Sequence, residues 1–464
     1  MRIIGRAIRA GRLLGASVAI LVPALAANAE SLRDAVRATL TANPALQATD
    51  AEARAAAFEL LELRGEFLPT VSVFGEIGEE NVDNPANLSV ADNAVTKTAR
   101  QIGVSVDLTL FDGFRRSNLV YANAARLDGR IFALLDASET IGLSAVEAYV
   151  DVVRHRNLAV VARENVRRHE ELADQVRQAV DGGRLPAGDG FEAENRLLAA
   201  RVAELRVREA IANSNARYLR VVGNAPGATM SVPPIRNLPA SATELVQTAI
   251  EGSFRVKAAS SEINRRHYER GVAEADRMPR LDLNATTSKG EDQGGSRGVD
   301  DETFVGLRLS WTIYKGGRNQ QTAALIERRE QAILERNEAV RGVRELAEST
   351  WTAYRSDLER QRLFREQEVA TENIVTQYRQ EFLAGSRTLL DVLDAERNFF
   401  NVRFQRVSVD AAVSFNQYRL VATQSKLAQM FDISPSETAL EPTFESRALQ
   451  KPSLVFDTSV APLR

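Results

Sequence analysis

Two stretches of the chain, residues 30–222 and 241–430, carry the same landmarks in the same order, and this duplication limits the possible architectures more than any other feature. Thr39, Ala48, Leu68 and Pro69 stand 210 positions before Ala249, Ala258, Met278 and Pro279. Gly103, Leu108 and Gly113 precede Gly306, Trp311 and Gly316 by 203, and Ala148-Tyr149 precede Ala353-Tyr354 by 205. Gly183, Asp189, Ala193 and Glu194 precede Gly385, Asp391, Ala395 and Glu396 by 202, and Tyr218 precedes Tyr418 by 200. So slow a drift means one duplication followed by small changes in loop length. A linker over residues 223–240, holding Pro226, Pro233, Pro234 and Pro239, joins the copies. Residues 431–464 follow as a tail, expected to be irregular from Glu441 onward.

Each copy reads as a helix, two strands, a very long helix, a short turn and a long returning helix, so the fold class is α+β. The strands show period-two alternation: Ile102, Val104, Val106, Leu108 and Leu110 in one, and Val305, Leu307, Leu309, Trp311 and Ile313 in another. Val71, Val73 and Ile77, and Leu281, Leu283 and Ala285, mark the other two. The polar segments Glu79 to Lys97 and Lys289 to Asp301 are expected to connect the members of two hairpins. Four strands cannot close a membrane barrel, which needs about eight. An open edge in lipid leaves backbone groups unpaired at several kcal/mol each. Subunits would therefore have to pool their hairpins, and a trimer would supply twelve strands.

No proline interrupts Arg115 to Val180 or Arg318 to Ala384. Helices of that length extend roughly 100 Å. Their partners, Phe191 to Val222 and Leu390 to Met430, return from turns near residues 182–189 and 384–391. Apolar residues at three- and four-residue steps, as in Leu143, Val146, Val150 and Val153, favour coiled-coil packing.

Residues 1–29 have the order of a secretory signal peptide: Arg2, Arg6, Arg9 and Arg12, then the apolar Leu13 to Leu25, then Ala27-Asn28-Ala29 before Glu30. Removing them takes the formal charge from −3 to −7, because four arginines and no acid leave. An acidic exported chain does not suit nucleic acid. The sequence has no cysteine, which excludes both disulfides and a lipid-modified N-terminal cysteine. No later segment is apolar for the ~20 residues of a spanning helix. His155, His169 and His267 are too scattered to ligate a metal, and neither a phosphate-binding Gly-x-x-x-x-Gly-Lys loop nor a Gly-x-Ser-x-Gly elbow occurs. Neither an enzyme nor a bound cofactor or metal is expected.

Four features resemble the TolC family of outer-membrane channels. Leu32-Arg33-Asp34-Ala35-Val36 with Asn43-Pro44-Ala45-Leu46 is similar to the family's first helix and its Asn-Pro break. Leu68-Pro69, Phe111-Asp112-Gly113 and Tyr314-Lys315-Gly316-Gly317 are similar to its barrel-to-helix junctions, and the duplication is the family's own. Gly385-Ser386-Arg387-Thr388-Leu389-Leu390-Asp391-Val392-Leu393-Asp394-Ala395 is similar to its second coiled-coil turn.

The resemblance implies a homotrimer in the outer membrane of a Gram-negative bacterium. A shared 12-strand barrel in outer-membrane lipid would continue as a helical tunnel through the periplasm. It implies a closing iris at the tunnel's far end, with Arg387, Asp391 and Asp394 in it and Asp189 as the first turn's counterpart. Phe382 stands where the best-known member has a tyrosine and brings no hydroxyl to such a closure. Gly183, Arg184, Leu185, Gly385 and Ser386 match segments that meet a periplasmic adaptor, itself coupled to an inner-membrane transporter, ABC or proton-driven. Asp391 and Asp394 share one helix face, and threefold symmetry would gather a carboxylate ring that favours cations.

The function implied is a passive exit duct for proteins or small toxic compounds, with type I secretion favoured. The competing class is a periplasmic coiled-coil adaptor or scaffold without a pore. Two helical hairpins, with strands inside each repeat, speak against that class, and a need for detergent on extraction separates the two.

Overall fold

The computed structural model describes residues 30–83, 94–295 and 298–433, together with residues 439 and 443. The expected signal peptide, and nearly all of the tail, lie outside the described residues.

The first repeat opens with α1 (Leu32–Ala42) and α2 (Pro44–Gly65), and the second with α5 (Ala242–Gly252) and α6 (Phe254–Ala275). Each pair is one helical stretch broken by a capping residue. Ser31 and Ser241 accept from the backbone N–H three residues on, and Asn43 and Ser253 restart the chain as N-caps of the second helix. Pro44 at the first position of α2 cannot continue α1, so the Asn-Pro step divides them.

Strands β1 (Thr70–Asp83), β2 (Ala94–Phe111), β3 (Arg280–Glu291) and β4 (Val299–Ser310) form one antiparallel sheet in chain order. The two hairpins, one from each repeat, are joined through β2 and β3. Register places Val71, Val106, Ala285 and Val305 in one row across all four strands, with Leu108, Leu283 and Leu307 in the next. This face is open: Val71, Val73, Ile102, Val305, Leu307 and Leu309 are each more than 60% exposed. The opposite face is polar, with Asn284 bonded to Asp107, and Thr109 donating to Asp282 at 2.7 Å. The outer edges of β1 and β4 have no partner among the described residues.

Both hairpins run further than the alternation suggests. Glu79–Asp83, Ala94–Lys97, Lys289–Glu291 and Val299–Asp301 are strand, not connection. Apolar alternation stops there because neither face is apolar, but backbone pairing needs no apolar side chain. Opposite charges sit across the ladder, Glu80 facing Lys97 and Lys289 facing Asp301.

The long helices are α3 (Arg115–Asp181), α4 (Ala187–Val222), α7 (Arg318–Leu383) and α8 (Leu389–Thr423). They lie side by side in the order α4, α3, α8, α7. Helix α6 packs on both α3 and α7, so the repeats interlock. The returning helix does not reach Met430 unbroken. It stops at Thr423, turns with Ser425 at φ 57°, and resumes as α9 (Leu427–Met430). The cause lies on α3, where the buried Glu139 carboxylate accepts from Leu427 N at 2.8 Å and Ala428 N at 3.1 Å. That cap starts a new helix at a place the sequence pattern alone would run through.

The largest core gathers α1, α2, α3, the linker and α9 around the fully buried Tyr149, Tyr218 and Tyr418. Tyr418 donates to the Pro233 carbonyl at 2.6 Å, and the Tyr149 hydroxyl accepts from Ser231 N at 3.1 Å while donating to the Glu30 carbonyl at 2.7 Å. The proline-rich linker is thereby strapped down by side chains, since it has few N–H groups for a ladder of its own. The flanking helices keep apolar residues turned outward: Phe191, Leu198, Val202 and Leu205 on α4, and Leu334, Leu363, Val369 and Ile374 on α7.

Candidate functional site

The two tips are built on the same backbone turn. In each, the long helix ends on a glycine in the left-handed region, Gly183 at φ 71° and Gly385 at φ 76°. Arg184 N donates to the Ala179 carbonyl at 2.8 Å, and Ser386 N to the Glu381 carbonyl at 2.9 Å. Gly183 N reaches Val180 O and Gly385 N reaches Phe382 O, both at 2.9 Å. This paired arrangement satisfies the last carbonyls of the helix and demands glycine at one position only.

At the second tip, side chains reinforce the turn. Arg387 donates through Nε to Glu381 Oε2 at 2.9 Å, with Nη2 at 2.8 Å from the same oxygen. Its guanidinium lies 4.0 Å from the centre of the Tyr378 ring, a cation–π contact. Gln377 donates to the other Glu381 oxygen at 3.0 Å. Bonding from Gln377 and then from Arg387 holds the Glu381 carboxyl below its ordinary range. Helix α8 opens on a reciprocal cap: Asp391 N donates to Thr388 Oγ1 and Thr388 N donates back to Asp391 Oδ2, both at 3.3 Å, and the Thr388 hydroxyl also donates to that oxygen at 2.7 Å. That hydroxyl is the main cause of the lowered Asp391 carboxyl. Asp394 is exposed and sits 3.3 Å from Arg397.

The first tip lacks these supports. Pro186 is the N-cap of α4 and offers no side-chain acceptor. Asp189 and Arg184 make no side-chain hydrogen bond or ion pair among the described residues. Gly188 and Gly190 lie in the opening turn of α4.

Leu185 of the first tip and Phe382 of the second meet in one apolar cluster. Tyr378, Leu172, Val176, Leu389, Val392 and Leu393 are among its other members. Phe382 is therefore packed between the hairpins of its own subunit, while Arg184, Gly183, Gly385 and Ser386 are exposed. The sequence reading brought out Arg387, Asp391 and Asp394 but missed Glu381 and Tyr378, which hold Arg387, and Thr388, which holds Asp391. For Thr388 there was a signal, an acid three residues after a threonine at a helix start. For Glu381 and Tyr378 there was little, since their approach to Arg387 depends on the turn between.

Away from the tips, no group of three or more His, Asp or Glu side chains converges as a metal site among the described residues. No helix among them is long and apolar enough to cross a membrane, which leaves the sheet's open face untouched as a membrane surface.

The sequence profile of the family described as outer membrane efflux protein matches residues 35–224 and 245–423, one segment in each repeat. The outer membrane efflux protein BepC of Brucella suis biovar 1 is 25% identical over 337 residues, spanning 71% of this chain and 73% of its own. The alkaline protease secretion protein AprF of Pseudomonas aeruginosa is 24% identical over 313 residues, 64% of each chain. Among solved structures, the CmeC outer membrane channel of Campylobacter jejuni superposes with a TM-score of 0.75 at 14% identity, covering 92% of this chain and 90% of that one.

Proposed function

The chain belongs to the outer membrane efflux protein family, and from that membership we propose that it supplies one third of an exit duct. As an outer-membrane channel protein with a large periplasmic part, it presents the sheet to the membrane and the helices to the periplasm. One observation supports a closed ring of copies, three by resemblance to the family: a four-stranded sheet with one apolar face and two edges that have no partner among the described residues. Backbone groups at such edges are tolerated in lipid only when paired, so neighbouring copies would complete the ladder from β4 to β1. The outward apolar rows on α4 and α7 support the same ring, because those helices flank each subunit.

In this reading the helices, roughly 100 Å long, line a water-filled tunnel. The tips form its periplasmic aperture, Asp391, Asp394 and Asp189 supply a cation-favouring carboxylate ring, and Arg387 belongs to the lock. Exposed Gly183, Arg184, Gly385 and Ser386, with Leu185 behind them, would meet a periplasmic adaptor coupled to an energised inner-membrane transporter. For cargo we propose protein export of the type I kind. The similarity to AprF, whose name records protease secretion, supports it, and so does the absence of a cysteine for acylation. Efflux, the word in BepC's name, is the second reading, with small toxic compounds as its cargo on our proposal.

Planar-bilayer recording of the detergent-extracted protein tests the duct. A trimeric species with a small, cation-selective conductance is expected. Folded protein that conducts nothing, or that leaves the cell envelope without detergent, would return the chain to the scaffold class.

A further inference from the structure

A glutamate at the head of the first repeat reaches the linker at its end. Glu30, half-buried ahead of α1, accepts through Oε2 from Gly227 N at 2.9 Å and through Oε1 from Asn224 Nδ2 at 3.3 Å. Its carbonyl accepts from the Tyr149 hydroxyl, which in turn accepts from Ser231 N at 3.1 Å. Two turns along α3, Arg156 donates to the Gly227 carbonyl at 2.7 Å and to the Ala228 carbonyl at 3.0 Å. Residues 224–231 lie in no helix or strand, so their backbone groups depend on such side chains. Glu30 serves them twice, directly at Gly227 and through Tyr149 at Ser231.

The second repeat offers an internal comparison. At the offset of 210, Ser31 and Asp34 match Ser241 and Glu244, and Glu30 matches Ala240. Both serines cap their helices. At Ala240 the chain arrives from the linker, and its N–H donates to Glu244 Oε2 at 2.8 Å. Glu30 N has no such acceptor among the described residues, and Asp34 Oδ2 takes the Ser31 hydroxyl instead, at 2.6 Å. A continuing peptide N–H wants a partner from the fold. The nitrogen of a chain terminus is an ammonium that water serves, and Asp34 in the first turn of α1 lends it negative charge.

We infer that Glu30 is the docked N-terminus of the mature chain, and that its carboxylate and carbonyl fasten the linker between the repeats. The premise is the secretory signal expected over residues 1–29. Hydrolysis of the Ala29–Glu30 amide by a signal peptidase adds the hydroxyl of water to the Ala29 carbonyl carbon and a hydrogen to the Glu30 nitrogen. That nitrogen takes a further proton from solvent and becomes the ammonium. Cleavage one residue later would remove the clamp, and cleavage earlier would leave a peptide N–H where no acceptor stands. The step that frees the chain from its signal thus also defines the residue that closes the linker, whether or not the protein conducts.

The experiment takes full-length protein extracted from the cell envelope and compares wild type, Glu30→Ala and Leu172→Ala by intact-mass spectrometry, thermal unfolding and limited trypsin digestion. Arg236, exposed in the linker, is the cutting site that senses the clamp. Leu172 is the control, 1% exposed in the apolar cluster at the tips and away from the linker. The mature wild-type mass should begin at Glu30. Glu30→Ala leaves the small-x-small site before it intact, and it should raise the rate of cutting after Arg236 by roughly tenfold, the effect of losing a hydrogen-bonded charge. Leu172→Ala should lower the Tm and leave that rate unchanged. A mature mass that starts at any other residue, an unchanged rate in Glu30→Ala, or an equal rise in Leu172→Ala would overturn the inference. If Glu30→Ala is not recovered, Tyr149→Phe keeps the ring but removes the hydroxyl between Glu30 and Ser231, and should raise the rate several-fold. Bilayer recording decides the duct reading separately, since none of these readouts requires a conducting channel.

Discussion

At the first tip, glycines and a proline turn the chain; the Arg184 side chain is left to solvent, and the partly buried Asp189 has no side-chain partner among the described residues. At the second, an equivalent glycine sits inside a mesh of Tyr378, Glu381, Arg387, Thr388 and Asp391. The backbone hydrogen bonds of the two turns are nearly superimposable, so the duplication preserved what backbone geometry demands. Side-chain reinforcement is under no such demand and has accumulated on one copy. The second tip is thus the better-ordered half of the proposed aperture, and the first is the half with donors and acceptors to spare.

The largest expected effect is functional and one-sided. Arg387→Ala should raise bilayer conductance or open fraction several-fold, while Arg184→Ala at the first tip should leave both unchanged. Equal responses would erase the distinction between the tips.

A second contrast sets the tips against the core near α9. Burial pushes the Glu139 carboxyl up to about 7 despite the two backbone donors. Its contribution to stability is complete below the ordinary carboxylate range and is lost as pH rises through about 7. A rise from 4.5 to about 7 corresponds to about 3 kcal/mol. Melting curves between pH 5 and 8 should fall for wild type and flatten for Glu139→Gln. Glu381 and Asp391 at the second tip are lowered instead, so their contribution is present above the ordinary range and fades as pH falls. Acid loosens the tip and alkali loosens the core.

Smaller effects follow from the caps. Thr388→Ala should cost about 1 kcal/mol, the usual worth of a helix cap. Pro186→Thr should confer a similar gain, because Asp189 already waits at the third position of α4 to complete a reciprocal cap. Of like size and most even between the tips, Gly183→Ala and Gly385→Ala should each cost about 1 kcal/mol from positive φ alone. Neither position has another atom within 4 Å of the added carbon.

Much of this arrangement could be read from the chain. Repeats separated by a drifting offset, alternation in Val71–Ile77 and Val305–Leu309, and proline-free runs pointed to the strands and the four long helices, although Trp311 and Ile313 continue the alternation past the end of β4 at Ser310. Period-two reasoning lost the strands where Glu79–Asp83 turn polar on both faces, because it detects a buried face and not a paired backbone. The end of α8 was hidden for another reason: Glu139 lies 288 residues from Leu427, and no local pattern records such a cap. Glu30 read only as the residue after a cleavage site, because its bond to Gly227 spans 197 residues and leaves no local trace.

The free edges of β1 and β4 also bear on how the protein is made. Among the described residues nothing completes the sheet within one subunit, and a row of unpaired strand groups invites pairing with any extended chain nearby. If three copies must meet before the last ladder closes, completion depends steeply on local concentration. Slow synthesis would then lengthen the time each subunit spends exposed, and the yield of channel would fall faster than the supply of chain. Misassembly, on this account, begins at the sheet long before the tips have anything to close.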